Sequence, residues 1–178
     1  MPLAQQVSKL RENVMRWRDE LSSGNARGTH VEGIAAKAVN SFEAILHESL
    51  RYSLEACNVP YKPELASKVN NKRFDKLTLG DVVRTLEGAE EELTKRLRSV
   101  SSDAAILLKD RSLVDGSHKQ RLNQINKLRR LLTHHRDEFS KDEPTLIANT
   151  KQLVGTIREE LEEPFFKIMG TLSRPNGT

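Results

Sequence analysis

Hydrophobic residues at the start of the chain recur alternately four and three positions apart, and this spacing constrains the fold more than any other feature. The series consists of Leu3, Val7, Leu10, Val14, Trp17 and Leu21. Because such positions share one face of an α-helix, they predict a first helix of about five to six turns with a narrow apolar seam. One neighbour would bury this seam, either another helix of the same chain or a second subunit.

A second helix is predicted from a capping box, Thr29-x-x-Glu32, and it extends through Leu54. Its apolar positions are Ile34, Ala38, Phe42, Ile45, Leu46, Leu50 and Leu54. They cover a broad face, which predicts that this helix is the central and most buried one.

Further helices are predicted after a loop at residues 58–77. The third helix follows Thr78-x-x-Asp81 and continues to Leu97, and a short helix runs from Ser101-Ser102-Asp103 to Leu108. The next helix begins at the capping box Ser117-x-x-Gln120. The last helix runs from near Pro144 to before Pro164. No useful strand-like alternation occurs. We therefore predict an all-α bundle of about five to six helices in one domain, residues 1–178.

Length and composition exclude several classes of protein. The chain has 178 residues, a net charge of +4 and one cysteine, Cys57. It is long enough for a single sizeable core, and it is not a polycation. We expect this cysteine to be a small buried hydrophobic residue. A single cysteine excludes a disulfide framework, no Cys/His zinc spacing occurs, and no segment reaches the apolar length of a membrane span. We expect a soluble, cytoplasmic protein without metal or other cofactor.

The stretch from Ser117 to Arg136 contains many cations and no acidic residue. Its lysines and arginines are Lys119, Arg121, Lys127, Arg129, Arg130 and Arg136, and it also contains His118, His134 and His135. Acidic residues return at Asp137 and Glu138. A basic helix of this kind is typical of proteins that bind the phosphate backbone of a nucleic acid. We therefore predict RNA binding by a set of five cations: Lys119, Arg121, Lys127, Arg130 and Arg136. The alternative is a solvated charged face.

The end of this helix repeats one spacing, since Arg129 precedes His134 by five positions and Arg130 precedes His135 by five. Histidine can transfer a proton near neutral pH, and arginine can stabilise the charge of a phosphate. Residues five apart point about 140° away from each other on a helix, whereas residues four apart nearly align. Arg130 and His134 therefore share a face. Arg129 lies at the edge of the apolar stripe, so we expect it to point toward a packing surface or a partner. It can meet His134 only if the helix distorts or a second subunit contributes.

The segment Leu128-Arg129-Arg130-Leu131-Leu132-Thr133-His134-His135 resembles the Arg-x4-6-His motif of the HEPN superfamily of small all-α proteins. The family commonly shows Arg-Asn-x-x-x-His. On that pattern Arg129 takes the arginine position, Arg130 replaces the asparagine and His134 takes the histidine position. His135 leaves the identity of the catalytic histidine open. The predicted order of helices, with the motif helix late in the chain, is similar to the family's.

The resemblance implies a metal-independent endoribonuclease that leaves 2′,3′-cyclic phosphate and 5′-hydroxyl ends. It implies that His134 is the general acid or base, that Arg129 stabilises the phosphorane, and that His135 is a second proton carrier. It also implies a homodimer in a toxin–antitoxin or antiviral defence system, with an antitoxin or defence-complex protein as a further partner. Two alternatives remain: a non-catalytic HEPN-like module that binds RNA or protein, and a helical scaffold that dimerises through the Leu3–Leu21 seam.

Overall fold

The computed structural model describes residues 2–56 and 116–162, together with the single positions Ser67, Glu91 and Lys95. The two long ranges contain five helices and no strand. They are α1 (Leu3–Ser22), α2 (Thr29–Ala56), α3 (Gly116–His134), α4 (Arg136–Phe139) and α5 (Glu143–Leu161). The prediction of an all-α bundle is confirmed.

The apolar seam of α1 is buried inside the chain. All six residues of the seam are buried, and α1 packs against α2 and α5. A turn that contains two glycines with positive φ, Gly24 at 72° and Gly28 at 55°, returns the chain into α2. Glycine suits these positions because it has no Cβ to clash in the left-handed region. The seam is therefore buried against helices of the same chain, which is the first of the two arrangements that the sequence allowed.

Among the described helices, α5 has the most helical neighbours, whereas α2, the helix predicted to be the most buried, contributes more buried residues than α5. Helix α5 packs against α1, α2 and α3, whereas the contact between α2 and α3 is narrow. Leu153 and Ile157 of α5 are completely buried. A broad apolar face on α2 indicated extensive burial, but it did not reveal which helix has the most neighbours.

Both ends of α5 are held by polar contacts. At its start the carboxylate of Asp142 accepts a hydrogen bond from the backbone N–H of Thr145 at 2.7 Å. This capping interaction lowers the pKa of Asp142. At its end the guanidinium of Arg11 donates to the carbonyl oxygen of Leu161 at 2.7 Å. These contacts are complementary to the helix dipole, so they stabilise the position of α5.

A short helix, α4, connects α3 to α5 and was not predicted from the sequence. His135 interrupts the helical conformation between α3 and α4, with φ −133° and ψ 51°. Phe139 at the end of α4 is fully buried, and its carbonyl oxygen accepts a hydrogen bond from Asn149 of α5 at 3.1 Å. The buried aromatic ring thus attaches α4, which directly follows Leu128–His135 (the motif segment), to α5.

Several predictions lie mostly outside the described residues. These are the loop at 58–77, the third helix, the short helix that ends at Leu108, and the burial of Cys57. Glu91 and Lys95 are helical, and their exposed side chains form an ion pair at 3.2 Å. This i,i+4 pair agrees with a solvated helical face at that point.

Candidate nucleic-acid interface

One face of α3 presents a continuous polar and cationic surface to solvent. It consists of Lys119, Asn123, Lys127, Arg130 and His134, all of them exposed. These residues lie within about 80° of each other around the helix axis and extend along about 22 Å of it. We call this set the outer stripe. It lies opposite the buried residues Leu122, Ile125 and Leu128, which face the core.

Arg129 lies on the other side of α3, between that helix and α2. Its Nε is 3.2 Å from Oε1 of Glu43, and its Nη2 donates to Oδ1 of Asn126 at 2.9 Å. The exposed fractions are 15% for the Arg129 side chain and 25% for that of Glu43. The structure therefore turns Arg129 toward a packing surface, as its position beside the apolar stripe indicated. It does not bring Arg129 and His134 to one face.

Burial has a measurable electrostatic consequence at Glu43. The loss of solvent raises the pKa of the Glu43 carboxyl, and the positive charge of Arg129 opposes this rise only in part. The Glu43–Arg129 ion pair is thus a contact in which desolvation of the carboxylate outweighs the attraction of its partner. Removal of either partner would leave the other charge partly buried and uncompensated.

His134 and His135 lie at the C-terminal end of α3, beside an open groove of about 360 Å³. The groove is lined by Thr133, His134, His135, Arg136, Asp137 and Glu138. Both histidines are exposed, and His134 continues the outer stripe while His135 occupies the break before α4. The arrangement offers two imidazoles, close in sequence, at the solvent-facing end of a cationic helix.

Arg136 is exposed, but a partner on α2 already contacts its charge. Its Nη2 is 3.2 Å from Oε2 of Glu32. This contact and the Glu43–Arg129 pair show that the chain from α3 into α4 runs antiparallel to α2, because the residue later in the chain contacts the earlier position on α2. Glu32 and Glu43 both lie on the side of α2 that faces the motif segment.

Arg121 belongs to a cluster of charges buried between α3 and α5. Its Nε is 3.0 Å from Oε2 of Glu160, and Nδ1 of His118 contacts the other carboxylate oxygen. His118 and Glu160 are almost completely buried, and the side chain of Arg121 is 17% exposed. These residues connect the start of α3 to the end of α5, so Arg121 faces the interior, away from the outer stripe.

The cations predicted to bind RNA or phosphate thus fall into two groups. Lys119, Lys127 and Arg130 point outward on the outer stripe, while Arg121, Arg129 and Arg136 contact Glu160, Glu43 and Glu32 respectively. The geometry favours Lys127 and Arg130 for contact with a long anionic ligand, because both are exposed on the outer stripe, whereas the second group faces carboxylates.

The two interior carboxylates were not identified from the sequence, although a signal for each exists. Glu160 falls three positions after Ile157 and seven after Leu153, which are apolar positions of α5. Glu43 falls four positions after Val39 and three before Leu46. An acidic residue at a buried helical position indicates a charged partner from another element, although it does not reveal which one.

Among the described residues, no group of three or more His, Cys, Asp and Glu side chains converges in a way that could hold a metal ion. Within the same ranges no helix is both long enough and apolar enough to span a membrane. No family model, curated protein or solved structure matches the chain.

Proposed function

We propose that the chain is a metal-independent endoribonuclease of HEPN type. The observation that supports this proposal best is the outer stripe, a solvent-facing series of cations on a helix without acidic residues that ends at His134. A phosphate backbone is attracted by such a surface, and an imidazole at its end can transfer protons to and from the bound strand.

The reaction proposed is a transesterification within the RNA strand. The 2′-oxygen forms a bond to the adjacent phosphorus while the bond from phosphorus to the 5′-oxygen breaks. The proton of the 2′-hydroxyl passes to a general base, and a general acid protonates the departing 5′-oxygen. His134 is one proton carrier and His135, next to it at the same groove, is the other. An arginine stabilises the charge of the phosphorane. The need for a 2′-hydroxyl restricts the reaction to RNA.

A second candidate function is RNA binding without cleavage. The contacts of Arg129 with Glu43 and Asn126 favour it, because they direct the arginine of the motif away from His134. The outer stripe would serve binding equally well. In either function we propose RNA as the ligand and a homodimer as the assembly, with an antitoxin or defence-complex protein as a regulatory partner in the cytoplasm.

The test is incubation of the purified protein with an end-labelled RNA pool in EDTA, with analysis of the product ends. Matched controls are the His134→Ala and His135→Ala variants, checked for folding by circular dichroism, and RNA in which every 2′-hydroxyl is methylated. We expect cyclic-phosphate ends from the wild type, a loss of about 10²-fold or more in rate when the catalytic histidine is removed, and no cleavage of methylated RNA. Salt-sensitive binding without cleavage would favour the second candidate.

A further inference from the structure

Arg129 and the adjacent Arg130 point in different directions from α3, so they are suited to different roles. Its guanidinium faces α2, where it contacts Glu43 at 3.2 Å and Asn126 at 2.9 Å. His134 lies about 140° further around the helix, on the outer stripe. A phosphate that contacts His134 is therefore on the opposite side of α3 from the guanidinium of Arg129.

Arg129 also has an anionic partner already. A phosphate that approached it would compete with the Glu43 carboxylate and would enter a site where both side chains are mostly buried. Both the loss of the existing ion pair and the desolvation of a charged phosphate oppose such an approach.

Arg130 has the geometry that Arg129 lacks. It is exposed, it lies on the outer stripe, and it precedes His134 by one helical turn. Side chains four positions apart on a helix are neighbours, so a guanidinium and an imidazole at these positions can contact the same phosphodiester. The planar guanidinium can also donate two parallel hydrogen bonds to phosphate oxygens.

We infer that Arg130 is the arginine that contacts the RNA phosphate, and that Arg129 and Glu43 are positioning residues whose ion pair orients the end of α3. This inference rests on the proposed function for the cleavage step alone. The contact between Arg130 and phosphate applies equally to binding, and the Glu43–Arg129 pair can be tested without RNA.

The experiment compares Arg130→Ala, Arg129→Ala, Glu43→Gln, and Arg129→Ala combined with Glu43→Gln. Glu32→Gln serves as a control that removes the other carboxylate of α2 facing the motif segment. Three quantities are measured for each full-length variant: the thermal midpoint, RNA affinity as a function of salt, and the single-turnover cleavage rate at saturating protein.

For Arg130→Ala we expect an unchanged thermal midpoint, weaker RNA binding, and a slope of log affinity against log salt that is smaller by about 0.7. Its saturating cleavage rate should fall by about 10²-fold or more. For Arg129→Ala we expect a lower thermal midpoint with unchanged affinity and salt slope, and a smaller loss of rate at saturation. Adding Glu43→Gln should recover part of the lost thermal midpoint, because it removes the carboxylate left without its partner.

The opposite division of effects would overturn the inference: Arg129→Ala would reduce affinity and salt slope while Arg130→Ala behaved as the wild type. If the double variant lost as much in thermal midpoint as Arg129→Ala and Glu43→Gln lose together, the ion pair would be excluded as a positioning contact. RNA binding without cleavage by the wild type would contradict the nuclease proposal alone, since the affinity measurements would still assign the phosphate contact. Absence of RNA binding would overturn both.

Discussion

At the residue scale, three arginines near the outer stripe each contact a carboxylate of a neighbouring helix. Glu160, Glu43 and Glu32 contact arginines of α3 and α4 from the neighbouring helices. A buried guanidinium needs an anionic partner, because desolvation of its charge is otherwise costly. Lys127 and Arg130 take no part in these three contacts, and both are exposed on the outer stripe.

The pH dependence of stability should show the burial of Glu43. Its pKa is raised in the folded protein, so between the ordinary glutamate value and the raised value the folded state binds more protons than the unfolded state. Its contribution to stability is therefore fully present at low pH and is lost as pH rises through the folded pKa. We expect the free energy of unfolding of the wild type, relative to Glu43→Gln, to fall as pH rises through this window.

Urea unfolding of both proteins between about pH 4 and about pH 8 measures this difference. Glu32→Gln, compared in the same way, controls for the loss of one carboxylate on α2. A difference between wild type and Glu43→Gln that rises with pH would contradict the raised pKa.

Removal of Glu160 should be among the most destabilising changes outside the apolar core. Glu160→Ala would leave His118 and Arg121 without the carboxylate that contacts both of them. We expect a loss of about 3–5 kcal/mol in the free energy of unfolding, measured by urea denaturation. A loss below about 1 kcal/mol, the range of exposed ion pairs, would show that the cluster is open to solvent.

At the scale of helices, local patterns predicted which elements form but not which partners they meet. The alternating spacing of four and three residues in α1 identified all of its buried residues. Pro144 located the start of α5 to within one residue. The short helix α4 has too few residues for a periodic pattern. Its position depends on Phe139, which enters the core only because α5 lies beside it.

The contacts of the candidate site could be predicted only in part, for the same reason. Helical geometry alone showed that Arg130 and His134 share a face and that Arg129 points to a packing surface. The partner of Arg129 is Glu43, which lies far away in the sequence. A single sequence contains no local signal for a contact between such distant positions.

Burial of the α1 seam within the chain predicts a stability effect that is independent of protein concentration. Leu10 is almost completely buried, so we expect Leu10→Ala to reduce the free energy of unfolding by about 2–5 kcal/mol. The thermal midpoints of variant and wild type should be unchanged over a wide range of protein concentration at fixed salt. Midpoints that rise with concentration only in the protein with the intact seam would indicate that the seam joins subunits.

The outer stripe of α3 predicts a defined salt dependence of RNA affinity. Replacing both Lys127 and Arg130 with alanine should reduce the slope of log affinity against log salt by about 1.4, or about 0.7 for each lost phosphate contact. Lys37→Ala is the matched control, because Lys37 is an exposed lysine on α2. Equal effects of the control and of each single stripe variant would show that RNA binds without preference for this surface.

At the scale of the whole molecule, the described helices place exposed cations along one face of α3, although the net charge of the chain is modest. The chain has a net charge of +4, and its cations and acids are nearly equal in number. The antiparallel arrangement of α2 and the chain from α3 into α4 directs two glutamates of α2 toward the motif segment, while α5 brings a third carboxylate against the start of α3. Helix α3 itself contains no acidic residue, so the exposed side chains of its outer stripe are cationic or neutral.

The central claim is that this face of α3 binds RNA and that His134 at its end takes part in cleavage. The most direct measurement is the single-turnover rate of RNA cleavage in EDTA, at saturating protein, for wild type, His134→Ala and His135→Ala. We expect the wild type to generate cyclic-phosphate ends and His134→Ala to lose about 10²-fold or more in rate while its RNA affinity and thermal midpoint stay close to those of the wild type. Cleavage by His134→Ala at the wild-type rate, or no cleavage by any of the three proteins, would contradict the claim.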